Sequence, residues 1–289
     1  MLTGMRATAA AAAIGPFRNV ERVDRDIPYV TGGLPEQTGN LYIPRSLGNH
    51  PALLLIHGGG WKLGTRRDPG VVYIAQRLAA HGYEVFSINY RLTGNGGEFP
   101  NDLIDCKNAL AWMRMHAGRL HIKPRDIFVA GCSAGGYLAL MTAYTAAGKE
   151  FLSKAYPDVH LHVKAVIAFY APTNLMLAGG QQPENVAYKL VHAYVKNWLD
   201  LHPINGLLSA SPIGYVAHAV PTLLFQGTQD RLVPPIEASI MAGALLNVHK
   251  PVKLVMVKGG GHAFMDFPSP RRRKSLKQML SYMQSRMKH

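Results

Sequence analysis

The sequence predicts an α/β protein: a mostly parallel central sheet of about eight strands, helices on both faces, and a small insertion after the sixth strand. Three observations predict it. Short apolar runs recur along the chain with helical patterns between them, the alternation of a sheet built from right-handed crossovers. Most of these runs are nearly continuous in apolar residues, as parallel strands covered on both faces are. Finally, 48% of the 289 residues are apolar, enough for one large core.

The elements follow in order. The opening "MLTGMRATAAAAAIGPF" is basic and rich in alanine. Residues 1–15 read as a flexible terminus; as an export signal their apolar stretch is weak. Residues 16–289 then form a single domain. Arg18–Val30 and Leu41–Ile43 are expected as antiparallel edge strands. The parallel strands are Ala52–Ile56, Val85–Ile88, Ile127–Ala130, Val163–Phe169, Thr222–Phe225 and Val252–Val257. One helix closes over Arg77–His81, before Gly82 as its C-cap. Leu103, Cys106, Leu110 and Met113 fall at i, i+3, i+7 and i+10 and make one helical stripe. Tyr137–Ala147 is apolar nearly all round, which predicts a central buried helix. Residues 174–211 break the rhythm, being longer than an ordinary connection. Within them Ala187, Leu190, Val191, Tyr194, Val195 and Trp198 recur at helical spacing, either as a lid over a pocket or as plain packing.

Composition excludes several classes. No apolar run reaches the roughly 18–20 residues of a membrane span. Cys106 and Cys132 make neither a disulfide framework nor a zinc pattern, and favour a reducing, cytoplasmic compartment. The formal charge is +14, from 31 basic and 17 acidic residues. Its densest run, Arg271-Arg272-Arg273-Lys274, stands near the start of the last helix, where positive charge opposes the helix dipole. It reads as a solvated basic face, with docking on an anionic surface as the alternative. No finger, basic-zipper or RNA-binding pattern accompanies it, so no nucleic-acid partner is expected.

The chemistry gathers at four places. Ser133 lies in Gly131-Cys132-Ser133-Ala134-Gly135, straight after an apolar strand and before a helix. Composition alone supplies about 0.1 such G-x-S-x-G matches per chain of this kind; the strand–turn–helix context is what gives it weight. A serine hydroxyl needs a base. His262 follows the last strand and a triple glycine, on a loop at a strand's carboxyl end, where catalytic groups of such sheets collect. An imidazole base needs a carboxylate, and Asp230 ends the preceding strand region. Lastly, "LLLIHGGGW" runs a strand into His57-Gly58-Gly59-Gly60-Trp61. Bare glycine amides at Gly59 and Gly60, with that of Ala134, form a candidate oxyanion hole. His57 is expected to pin this loop. Trp61 is expected to anchor the loop, with lining the substrate pocket as its second role.

The segments "HGGGW", "NYRL", "FPNDLIDCKNALAWM", "GCSAGG", "GTQDRLVP" and "GGGHAF" appear in this order. Together they resemble the α/β-hydrolase superfamily in its HGGG-bearing branch, which holds hormone-sensitive-lipase-like carboxylesterases and acetyl-xylan and feruloyl esterase-like proteins. The resemblance runs from about Ala52 to Phe267. It implies Ser133 as nucleophile, His262 as base, Asp230 as orienting acid, and a structural role for Asp105. It implies a serine esterase acting through an acyl-enzyme on a small or short-acyl ester, with no metal or organic cofactor. Two departures stand out: Cys132 replaces the Asp or His common before the serine, and the region before HGGG is too short for most of a helical cap. Arylformamidases, which resemble the branch but tend to carry an aromatic residue where Gly60 stands, and non-catalytic small-molecule binders of the same fold are the alternatives.

Overall fold

Eight strands form one sheet in the order β1-β2-β4-β3-β5-β6-β7-β8. The computed structural model describes residues 20–152, 155–179 and 183–287; the predicted flexible terminus lies outside them. The edge pair β1 (Val20–Pro28) and β2 (Thr38–Pro44) is antiparallel, and β2 runs antiparallel to β4 (Glu84–Ile88). From β4 onward every pair is parallel, through β3 (His50–Ile56), β5 (Ile122–Cys132), β6 (Val166–Phe169), β7 (Thr222–Gly227) and β8 (Val252–Val257). β4, β6 and β7 are buried at every residue, which is why they read as nearly continuous apolar runs.

The period-two alternation of the strands sorts the core into two layers. Leu54, Ile56 and Val129 face one side with α2 (Asn101–Met115), α3 (Ala134–Tyr144) and α7 (Pro235–Asn247). Leu53, Leu55 and Phe128 face the other, with α1 (Pro69–Ala79) and α8 (Pro270–Met287). α1 ends at Ala79 with Ala80 as its C-cap, earlier than the predicted close over Arg77–His81; Gly82, predicted as the C-cap, lies two residues further on at φ +87°, where Tyr83 N donates to Leu78 O (3.2 Å).

Several boundaries differ from expectation. β6 begins at Val166 rather than Val163. α3 spans Ala134–Tyr144 rather than Tyr137–Ala147, because the helix starts at the first residue after Ser133, through small residues that carry no periodic signal. It stops where the Thr145 hydroxyl turns back onto Met141 O (2.7 Å). The predicted stripe of α2 is part of a helix buried nearly all round, including Asp102, Asp105 and Lys107. Asp105 is structural, as expected: it accepts from Gln37 Nε2 (2.7 Å) and from Arg91 N, Nε and Nη2 (2.8–3.0 Å), tying the edge hairpin to the loop after β4.

The basic run on α8 is not a uniform solvated face. Arg272 is buried, its guanidinium 3.7 Å from the Tyr73 ring centroid, and Arg271 Nε donates to Lys258 O (2.9 Å). Packing of the Arg272 stem and cation–π contact account for a cation at an unfavourable helix end. Among the described residues no helix is long and apolar enough to cross a membrane.

The insertion after β6 consists of α4 (Leu175–Gly179), α5 (Val186–Leu201), α6 (Gly206–Ser209) and a 3-10 segment, Pro212–His218. Asn185 caps α5, its side chain accepting from Ala187 N (2.7 Å). Val191, Tyr194 and Val195 turn one face of α5 into the core.

Candidate active site

The chain leaves β3 for one side of the sheet and returns through β5 to the other, so the carboxyl ends of β3 and β5 border a topological switch point, where crevices form in such sheets. The glycine loop follows β3 and Ser133 follows β5. Ser133 occupies φ +53°, ψ −122°, between the last strand residue and the first turn of α3. Its neighbours explain the sequence pattern. A side chain on Gly131 would run into the Gly135 carbonyl, and one on Gly135 into the carbonyls of Ile56 and His57. The elbow therefore closes only with bare backbone on both flanks.

The turn delivers the hydroxyl to its partner. Ser133 Oγ and His262 Nε2 are 2.9 Å apart, and His262 Nδ1 and Asp230 Oδ2 are 2.9 Å apart. Residues 129 and 32 positions apart in sequence thus meet in one relay. Asp230 is fixed on every side: Leu232 N (3.0 Å) and Val233 N (2.9 Å) donate to Oδ1, and Gln226 Nε2 (3.0 Å) to Oδ2. Burial alone would raise its pKa. The bond and charge of His262, with the two amides, outweigh burial and hold the carboxyl below its ordinary value. The ionised acid orients the imidazole with Nε2 toward the serine.

His57 is not a second base. It is buried, stacked on Tyr90 (4.4 Å, 14°), and its Nδ1 lies 2.7 Å from Gly58 O. Burial pushes its pKa down to about 4, against the opposing pull of that carbonyl, so the ring is neutral and pins the loop. The loop presses on the elbow: a methyl group on Gly58 would sit 2.9 Å from Cys132 O. Gly59 (φ +119°) and Gly60 (φ +59°) take backbone that side chains resist. Ala134 opens α3, where the first amides have no acceptor in the helix's own ladder. Trp61 is buried, at 3% exposure; its ring stacks on Tyr194 (4.5 Å, 6°), and the residue borders the cavity.

That cavity, about 700 Å³, is lined by Gly59, Gly60, Trp61, Ser133, Ala134 and His262, with Asp230 buried behind the imidazole. Val186, Ala187, Leu190 and Val191 of α5 form a further wall, so the insertion reaches the pocket. Cys132 is buried behind the serine; burial pushes its thiol up to about 12, against a bond from Tyr170. It is a neutral neighbour that also borders the cavity.

The sequence reading missed Tyr170, Gln226 and Asp266. Tyr170 stands edge-on to the His262 ring (5.0 Å, 65°) and its hydroxyl is 3.4 Å from Asp266 Oδ1. Both line the cavity. Their signal was positional only: Tyr170 directly follows β6, and Asp266 lies four residues beyond His262. Among the described residues no group of three or more His, Cys, Asp or Glu side chains is placed to hold a metal ion.

The BD-FAE family model matches residues 40–245. Esterase LipC of Mycobacterium tuberculosis (strain ATCC 25618 / H37Rv) is 30% identical over 216 residues, 74% of this chain and 53% of LipC. Esterase LipQ of the same organism is 28% identical over 236 residues, 80% of this chain and 54% of LipQ. The chain thus spans about half the length of these curated relatives. A solved structure described as a truncated form of carbohydrate esterase from gut microbiota superposes with a TM-score of 0.82 at 21% identity, covering 94% of this chain and 98% of its own. At that identity the likeness speaks for the fold. The family model covers well over half of the chain, and on that ground the protein belongs to the BD-FAE family of α/β-hydrolases.

Proposed function

We propose that this protein is a serine hydrolase that cleaves carboxylic esters through an acyl-enzyme. One observation carries the reading: the Ser133–His262–Asp230 relay, at 2.9 Å in both links, opens into the same cavity as the glycine loop. The names of the matched relatives, both esterases, support it.

In the forward step His262 Nε2 takes the proton of Ser133 Oγ as the oxygen attacks the ester carbonyl. The carbonyl oxygen becomes negative and is met by the amides of Gly59, Gly60 and Ala134, each such donor contributing about 2.7–4 kcal/mol in the transition state. The C–O bond to the alkoxy group then breaks. His262 returns its proton to that oxygen, and the alcohol leaves. Water, deprotonated by the same imidazole, attacks the acyl carbon; the bond to Ser133 Oγ breaks, Oγ takes the proton back from His262, and the carboxylic acid leaves. Asp230 stays ionised throughout and holds the ring's orientation.

Small or short-acyl esters suit a cavity of about 700 Å³ with an apolar wall at Val186, Leu190 and Val191. In this reading α5, which lines the cavity at Val186, Ala187, Leu190 and Val191, acts as a roof that keeps water from the acyl group.

An active-site-directed fluorophosphonate tests the proposal. Labelling of the wild type and its loss in Ser133→Ala is the expected outcome. Failure of the folded wild type to label, with no turnover of p-nitrophenyl acetate, would leave the site as a binding pocket.

A further inference from the structure

Leu190 brings the insertion against the glycine loop. A methyl group on Gly60 would lie 3.0 Å from Leu190 Cδ1 and 3.2 Å from Cδ2, so the leucine packs directly on the Gly60 backbone while also lining the cavity. We propose that Leu190 is a specificity-determining residue that limits the length of acyl chain the site accepts, with Tyr194, one turn on, as the positioning residue that holds it there. The inference rests on the esterase reading.

Chemistry assigns the side of the pocket. The departing alkoxy oxygen must lie within hydrogen-bonding reach of His262 Nε2 to receive its proton. The alcohol therefore occupies the part of the cavity bordered by the His262 loop, with Ala263, Asp266 and Tyr170. The acyl group leaves the same carbonyl carbon by a different bond and in this proposal is seated toward the α5 wall of the cavity, beside the glycine loop. There Leu190 stands over Gly60. A chain that cannot pass this side chain is confined to the space before it.

The leucine is held by more than its own contacts. Tyr194 stacks on Trp61, the residue after Gly60, and its hydroxyl donates to Asp102 Oδ1 (2.9 Å). Its carbonyl accepts from Phe99 N (3.1 Å). Tyr137 meets the same ring edge-on at 5.7 Å. α5 therefore has a fixed register on the glycine loop, and Leu190 does not slide along it.

The test is a series of p-nitrophenyl esters from acetate to decanoate, in which the leaving group is constant. Leu190→Ala is expected to raise the decanoate-to-acetate ratio of kcat/KM about tenfold or more, and Leu190→Phe to lower it, as pocket volume changes of this size do. Tyr194→Phe is expected to raise the ratio to a smaller extent. Leu190→Met serves if the alanine variant is poorly folded, and should move the ratio less. An unmoved acyl ratio in folded variants, or a shift seen only when the alcohol is varied, overturns the inference while leaving ester hydrolysis intact. Absence of turnover on every ester, with no fluorophosphonate labelling, counts instead against the underlying reading.

Discussion

The elbow around Ser133 and the roof formed by α5 border the same cavity but are built from different materials. The elbow is backbone against backbone: Gly131 on Gly135, and Gly135 on the carbonyls of Ile56 and His57. Its position is set by two neighbouring parallel strands, β3 and β5, whose ladders admit little movement. The roof is held mainly by side chains: Tyr194 on Trp61, Phe99 on Trp198 (5.0 Å, 86°) and one hydroxyl–carboxyl bond, with a single backbone bond from Phe99 N to Tyr194 O (3.1 Å) beside them. The difference teaches where each property of the site resides. The candidate triad sits just past strand ends, while the wall of the pocket depends on an aromatic cluster outside the strand ladders.

Substitutions on either side sharpen or break this contrast. The largest effect is expected for Ser133→Ala, a fall in kcat on the order of 10⁶-fold with a melting temperature close to the wild type. Steady-state rates and a thermal melt check it; a collapse of the fold instead would make Ser133 part of the scaffold. Next, Asp230→Asn should lower kcat by about 10⁴-fold, with KM little changed, because the imidazole loses its orienting acid. Unaltered turnover would assign the acid role elsewhere. For the elbow itself, Gly135→Ala should cost roughly 3 kcal/mol of stability, since the methyl meets fixed carbonyls rather than a movable side chain. Urea denaturation measures this, and a neutral result would mean that the elbow yields as readily as the roof.

At the root of the roof the expected effect is smaller and depends on pH. Glu237, buried on α7, accepts from Thr173 N (2.9 Å) and Asn174 N (3.2 Å), where the insertion begins. Burial raises its carboxyl from 4.5 to about 7, against the pull of those two amides. The folded state thus holds this proton more tightly than the unfolded chain does. Its stabilisation is fully present below the unfolded value near 4.5 and is lost as pH rises toward about 7. Glu237→Gln should flatten that slope and add about 1–3 kcal/mol at pH 8 relative to pH 4. Denaturation at the two pH values checks it, and an unchanged slope would place the titration elsewhere. Smallest of all, Tyr194→Phe should cost roughly 1 kcal/mol and leave the rings stacked. A loss as large as that of Gly135→Ala would show that the roof is as rigidly built as the elbow.

The elbow was legible because its requirements are local. A tight strand–turn–helix permits few residue types at Gly131 and Gly135, and the glycine loop likewise follows directly from its strand. Asp230 and His262 were legible because strand ends are recognisable and the chain places both just past one. The wall at Leu190 was half legible: the helical spacing of residues 187–198 was plain, but the same spacing fits packing or a pocket. Tyr170, Gln226 and Asp266 carry no local mark at all. Their importance comes from standing next to His262 and Asp230, which is a property of distance in space. The same reason hid the burial of Arg272, since a run of four cations looks identical in sequence whichever of them turns inward.

By itself the sequence determined the alternation of strands and helices, the burial of the central strands and the segments that carry the candidate site, because backbone sterics and apolar patterning act over a few neighbouring residues. Only the tertiary structure decided that residues 133, 230 and 262 share one line of hydrogen bonds, that α5 walls the cavity, and that Leu190 rests on Gly60. Those facts depend on how segments far apart in the chain pack around a common sheet, and packing is settled by the sum of many weak contacts that no short stretch records.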